Sequence, residues 1–252
     1  MDAILATFRP DLFAGKRVLI SGGTSGIGLA LSKGFARLGA EVTATGASRA
    51  RLIAARADSE AKGVRFELLD VRDRKAIDAF VGGFKSPDAL VNAAGVAKPG
   101  KEYEEADFLD VMDVNLNGVM RLSMAARPLL AKSKGAILNV ASMLSYVVDD
   151  AVPAYSASRT GLLGLTRTLA HRFGPEGIWI NAIAPGYHKT DMTKGLWTDP
   201  VPAKKIEAKA ALKRWGTVDD LLGATIFFCS PAALFVTAAS LPVDGGYVVS
   251  GF

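Results

Sequence analysis

Tyr155 and Arg159 stand four residues apart, with Ser142 a short way upstream, and these types at this spacing could move a proton. Residues four apart on a helix are neighbours, so a helix opening near Tyr155 sets a phenol beside a permanent cation. A free phenol holds its proton up to a pH of about 10, and a nearby positive charge favours the phenolate. Ser142 would then hold a carbonyl or alcohol oxygen while Tyr155 passes the proton, which is general acid–base catalysis. Alone, the pair is a weak signal, since a Tyr and an Arg at helical spacing are usually just surface residues. Its weight depends on the elements around it.

Those elements alternate. Arg17-Val18-Leu19-Ile20-Ser21 is a short apolar strand, followed by Gly22-Gly23-Thr24-Ser25-Gly26-Ile27-Gly28 and a helical pattern of Leu29, Leu31, Phe35 and Leu38 that ends at Gly39. Strand, glycine turn and helix make the first half of a βαβ unit. Such glycines let the backbone approach a pyrophosphate, and the helix N-terminus supplies free N–H groups. The spacing differs from G-x-G-x-x-G, so a plain tight turn stays open as a reading.

Further strands are expected over 41–45, 64–69, 89–91, 136–141, 178–183 and 241–246. Helices fall between them, among them a long one over 108–130 and another from Tyr155 to Phe173. Ser142 stands at the carboxyl end of the fifth strand, the edge where ligands bind in open parallel sheets. The stretch 187–216 is polar and reads as an irregular substrate loop, and 218–229 as the last helix. The pattern predicts α/β architecture: a single doubly wound domain over 1–252, with a mostly parallel seven-stranded sheet and helices on both faces.

The end of the second strand bears on the nucleotide. An acidic residue there bonds the ribose 2′-hydroxyl of NAD. Here it reads Gly46-Ala47-Ser48-Arg49, with no carboxylate to repel a 2′-phosphate. Ser48 can donate a hydrogen bond and Arg49 can supply charge, which favours NADP(H) over NAD(H). An arginine solvated at a helix start is the competing reading.

Composition excludes several other classes. The 252 residues carry a net charge of +5, but their Lys and Arg are scattered and make no nucleic-acid-binding stripe. The single cysteine, Cys229, forbids an intrachain disulfide, and two histidines argue against a metal site. No run approaches the ~20 apolar residues of a membrane span, and the N-terminus lacks a signal-peptide pattern. The expectation is a cytoplasmic enzyme with no metal, nucleic-acid or membrane partner.

Taken together, the motifs resemble the short-chain dehydrogenase/reductase family in its branch of roughly 250-residue enzymes. The resemblance rests on Ser21 to Gly28, Asp70-Val71, Asn92-Ala93-Ala94-Gly95, Asn115, Ser142, Tyr155, Pro185-Gly186 with Thr190, and Val243-Asp244-Gly245-Gly246. It implies a Rossmann-type fold and a homotetramer. It also implies roles. Gly22, Ser25, Gly26, Ile27 and Gly28 would line the pyrophosphate, and Asp70 and Val71 would contact the adenine. Asn92, Ala93 and Gly95 would flank the adenosine side, and Pro185, Gly186 and Thr190 would hold the nicotinamide. Ser142 would orient the substrate oxygen, Tyr155 would transfer the proton, and Asn115 would anchor a water relay by bending its helix.

Arg159 departs from the family, which has lysine four residues after the tyrosine. That lysine bonds the nicotinamide ribose and lowers the tyrosine pKa. Arginine keeps the charge and the donors, but its fork is planar, bulkier and effectively never deprotonated. Three readings follow: a site that works with arginine, a much weaker one, or a chain moved to another task. A milder departure is Ala93, where the family commonly has asparagine.

The expected reaction is hydride transfer between NADP(H) and a ketone or secondary alcohol. Ala141-Ser142-Met143-Leu144-Ser145 resembles the same stretch in reductases of sugar acids and polyols, and a cyclic ketone is the more apolar choice. Leu144 and His188 join Ser142 and Tyr155 as substrate-contact candidates. The alternative is a nucleotide-binding protein with weak or no catalysis because of Arg159.

Overall fold

A computed structural model of the chain describes residues 1–250. The strands are β1 (Arg17–Ser21), β2 (Glu41–Gly46), β3 (Val64–Leu68), β4 (Ala89–Asn92), β5 (Ala136–Val140), β6 (Trp179–Pro185) and β7 (Ser240–Val243). They form one sheet in the order β3-β2-β1-β4-β5-β6-β7, every pair parallel. The helices are α1 (Asp2–Leu5), α2 (Gly26–Arg37), α3 (Arg49–Ala57), α4 (Arg74–Gly82), α5 (Glu105–Met112), α6 (Gly118–Ser133), α7 (Pro153–Phe173), α8 (Lys194–Trp197), α9 (Pro200–Lys209) and α10 (Leu222–Cys229). The doubly wound, seven-stranded expectation holds.

Strand composition explains the layering. β4 and β5 are buried along their whole length, as in a parallel sheet covered on both faces. Alternate residues of β1 divide between two cores. Val18 and Ile20 pack with Leu31, Phe35, Leu138 and Ile226 on one face, and Leu19 packs with Ile77, Leu90, Leu122, Ile137 and Phe173 on the other. The winding reverses between β1 and β4, so their carboxyl ends, Ser21 and Asn92, border the crevice where such sheets bind ligands.

Three segments differ from expectation. The long helix over 108–130 is α5 and α6 joined by a π-helical stretch, Asp113–Asn117. Its fully buried Asn115 bonds outward to Val96, so the winding loosens there. The 187–216 stretch is not irregular. A parallel bridge between His188 and Gly216 closes its stem, and it carries α8 and α9. Asp199 caps α9, accepting the Val201 N–H at 2.9 Å, with Pro200 at its first position. Indole N–H groups pin the segment: Trp197 donates to the Thr190 carbonyl at 3.0 Å and Trp215 to the Ala203 carbonyl at 3.2 Å. The last helix also starts later, its 218–221 turn being 3-10.

Candidate active site

One cleft of about 570 Å³ runs along the carboxyl edge of the sheet. Its floor is the turn after β1. Gly22 adopts a φ of +72°, and a side chain there would place its Cβ 2.5 Å from the Ala94 nitrogen. At Gly28 the same atom would lie 2.3 Å from the Gly22 oxygen. Only glycine fits either position. Ser25, at the N-cap of α2, accepts no helix N–H, and the first turn holds no acidic residue. Those N–H groups and the helix dipole are open to an anion. Gly22, Ser25, Gly26, Ile27 and Gly28 all line the cleft.

At one end stand Gly46, Ala47, Ser48, Asp70 and Val71. Ser48 caps α3, accepting the Arg51 N–H at 3.3 Å. Arg51 lines the cleft, whereas Arg49 is not among the lining residues. Arg72 bridges Asp70 at 2.7 Å and Asp110 at 2.6 Å. Its guanidinium holds the Asp70 carboxyl below the usual carboxylate range. Asp70 also accepts the Arg72 N–H at 2.9 Å, so part of its capacity serves the turn.

Across the middle, Ala93 and Gly95 line the cleft but Asn92 does not. Its side chain is fully buried, donating to Asn139 Oδ1 at 2.9 Å and Ser123 Oγ at 3.2 Å. Its place is a polar network between sheet and helices, because β4 aims that side chain toward α6.

Ser142, Tyr155 and Arg159 come together at the other end. Ser142 caps the short turn after β5, accepting the Leu144 N–H at 3.1 Å. A hydroxyl that accepts there keeps its own O–H free to donate. Tyr155 lies in the first turn of α7, with the Arg159 guanidinium carbon 5.0 Å from its ring centre. Arg159 is only 3% exposed. Its Nη1 donates to the Val140 carbonyl at 2.9 Å, and its buried Nε has no partner among the described residues. Nη2 lies against Gly95, where an added Cβ would approach it to 1.9 Å. The arginine is accommodated by that missing side chain.

Asn115 holds the neighbouring backbone. Its Oδ1 accepts the Val96 N–H and its Nδ2 donates to the Val96 carbonyl, both at 2.9 Å. Nδ2 also lies 3.1 Å from Ser158 Oγ, which donates to the Tyr155 carbonyl at 2.7 Å. Ser158, inside the Tyr155–Arg159 motif, is thus a link that sequence reading passed over.

Pro185, Gly186 and Thr190 line the wall beside Tyr155. The Gly186 N–H donates to the Val243 carbonyl at 3.0 Å. His188 also lines the cleft, but it is buried, with Nδ1 3.1 Å from the Gly186 oxygen. Burial pushes its pKa down, and the neutral ring ties the stem of the 187–216 segment to Gly186. Leu144 packs behind Tyr155 with Met143, Val152, Tyr187 and Tyr247 rather than in the cleft lining.

The cleft fits a nicotinamide dinucleotide. It has a glycine cradle with free N–H groups in its middle, and an orphaned Arg159 donor beside the Tyr155–Ser142 pair. Among the described residues no cluster of His, Cys, Asp or Glu could hold a metal ion, and no helix is long and apolar enough to cross a membrane.

Comparison with known proteins agrees with this geometry. A family described as Enoyl-(Acyl carrier protein) reductase matches residues 22–248. Gluconate 5-dehydrogenase of Gluconobacter oxydans is 36% identical over 252 residues, covering 96% of this chain and 98% of that protein. The 5-keto-D-gluconate 5-reductase of Escherichia coli K12 is 34% identical, covering 95% and 99%. A solved gluconate 5-dehydrogenase from Burkholderia cenocepacia, in complex with NADP and tartrate, superposes with a TM-score of 0.88. It is 30% identical, covering 96% of this chain and 99% of that one. The chain is an NAD(P)-dependent oxidoreductase and belongs to the short-chain dehydrogenase/reductase family.

Proposed function

We propose that this enzyme interconverts a ketone and a secondary alcohol on a sugar acid of the gluconate type, with NADP(H) preferred to NAD(H). The observation that carries the reading is Arg159, buried against the Tyr155 ring at the cleft end that also holds Ser142. When bound, the nicotinamide supplies or accepts the hydride. Ser142 donates its O–H to the substrate oxygen, and Tyr155 delivers the proton to it. The Arg159 charge stabilises the phenolate left behind.

The sugar-acid assignment draws on relatives named for gluconate and its keto forms. The NADP preference draws on Ser48 and Arg51 at a β2 end without a carboxylate, and on structural neighbours bound to NADP. The rival reading, a nucleotide binder without turnover, is not supported. Arginine keeps its charge in contact with Tyr155, and the relatives are named for turnover. The family's homotetramer remains part of the proposal, with light scattering as its check.

The test is oxidation of NADPH and of NADH against 5-ketogluconate, 2-dehydro-3-deoxygluconate and a cyclic ketone, for the native chain and Tyr155→Phe. Turnover on a keto acid that disappears in Tyr155→Phe, while NADPH still binds, is the expected result. A Tyr155→Phe variant that kept most of its rate would remove Tyr155 as the acid.

A further inference from the structure

α7 carries the reacting tyrosine, yet its N-terminus has no cap of its own. Val152 stands at the N-cap and offers no side-chain acceptor, and Pro153 opens the helix. The Tyr155 N–H is one of the donors that a helix leaves unpaired in its first turn. It is taken instead by Glu102, 53 residues earlier, whose Oε2 accepts it at 2.8 Å. The other oxygen, Oε1, accepts the Lys98 N–H, also at 2.8 Å. Glu102 is wholly buried, and among the described residues its side chain bonds only these two backbone groups. The Lys98 ammonium points elsewhere, to Asp107 and Asp110 at 2.7 Å each.

One side chain therefore ties the loop after β4 to the turn that presents Tyr155. From the other side, Asn115 grips Val96 of the same loop and, through Ser158, the Tyr155 carbonyl. Both the N–H and the C=O of Tyr155 are thus tied to residues that fix this loop.

We propose that Glu102 is a positioning residue for proton transfer, holding the Tyr155 backbone so that its hydroxyl meets the oxygen bound by Ser142. The inference rests on the proposed role of Tyr155. Glu102 touches neither the cleft nor a reacting atom. It acts through placement, and misplacement by about 1 Å can cost up to a hundredfold in rate.

Glu102→Gln tests this with the least change of shape. An amide keeps one acceptor, but its NH2 would face an N–H donor, so one of the two bonds is lost. Glu102→Ala loses both. The expected result, at a temperature where circular dichroism shows both variants folded, is kcat down about tenfold for Gln and further for Ala. The KM for the keto substrate and the Kd for NADPH should stay within about twofold. Amide hydrogen exchange at Tyr155 and Lys98 should quicken while the middle of α7 is unchanged.

Unchanged kcat per folded molecule in both variants would overturn the proposal and leave the reductase reading intact. So would a kcat loss matched by an equal loss of NADPH binding. If the native chain turns over no keto substrate, the reductase reading fails instead. Exchange then decides alone: unaltered protection at Tyr155 in Glu102→Ala overturns the clamp, and selective loss there supports it.

Discussion

Arg159→Met is the sharpest test of the reacting end. The substitution keeps the buried stem and removes the charge. The guanidinium carbon lies 5.0 Å from the Tyr155 ring centre. With the ring-centre distance taken as the charge separation, a unit charge about 5 Å away at an effective dielectric of about 20 is worth about 3 kcal/mol to the phenolate. Water in the open cleft screens part of that. The expected loss in kcat at saturating NADPH and substrate is therefore about 10- to 100-fold. Arg159→Lys separates charge from shape. Its ammonium falls near where the guanidinium carbon now lies, so the 2.9 Å bond to the Val140 carbonyl is lost. Leaving that buried carbonyl unpaired costs about 1–3 kcal/mol of stability, but the charge stays beside Tyr155. The lysine variant should keep kcat within about tenfold of native and melt at a lower temperature. The assay is NADPH oxidation read by absorbance, with NADPH affinity measured separately by fluorescence. An Arg159→Met enzyme that kept half its kcat would refute the electrostatic argument. A lysine variant as slow as the methionine one would show that geometry, not charge, governs this end.

Arg51→Ala should raise the Kd for NADPH about tenfold and leave that for NADH nearly unchanged, since one charge-assisted contact is worth about 1.5–3 kcal/mol. Arg49→Ala should do neither, and the reverse pattern would return the 2′-phosphate to Arg49. Gly95→Ala puts a Cβ 1.9 Å from Arg159 Nη2. The guanidinium must move off Val140, and kcat should fall about as far as in Arg159→Met; a native rate would mean its position is immaterial. Burial lowers the His188 pKa in the folded chain, below the unfolded value of about 6.5. The unfolded chain then binds more protons in that window, so this contribution is complete above pH 6.5 or so and shrinks as the pH falls. Melting temperatures at about pH 7.5 and 5.5 should differ less in His188→Gln than in the native chain. Equal differences would sink the assignment.

How much of this was legible depends on whether a residue's role is written in its neighbours. The glycine turn, the alternating strands and Ser142, Tyr155 and Arg159 were readable because each depends on spacing within one strand–helix unit. The same local logic could have found α9, where Asp199-Pro200 is a cap followed by a first-turn proline. Polarity there masked the signal. Choosing Arg51 over Arg49 needs the phase of α3 relative to the cleft, which is set by the Ser48 cap and invisible until the helix is placed. The placement of the Asn92 side chain is hidden for a different reason. Its motif is local, but the strand pleat turns its side chain to Asn139 and Ser123, residues of other elements. Glu102 is the extreme case. In Lys101-Glu102-Tyr103-Glu104-Glu105 it looks like any solvated acid. Its neighbour Glu104 is exposed while Glu102 is fully buried. The difference lies in the backbone N–H of a helix turn more than fifty positions away. Backbone donors carry no residue type, so no sequence pattern can mark a side chain selected to meet one. The candidate reacting residues are readable because their spacing is local. A residue that aims them by holding backbone can sit in an ordinary polar run, and it becomes visible only when the two segments are brought together.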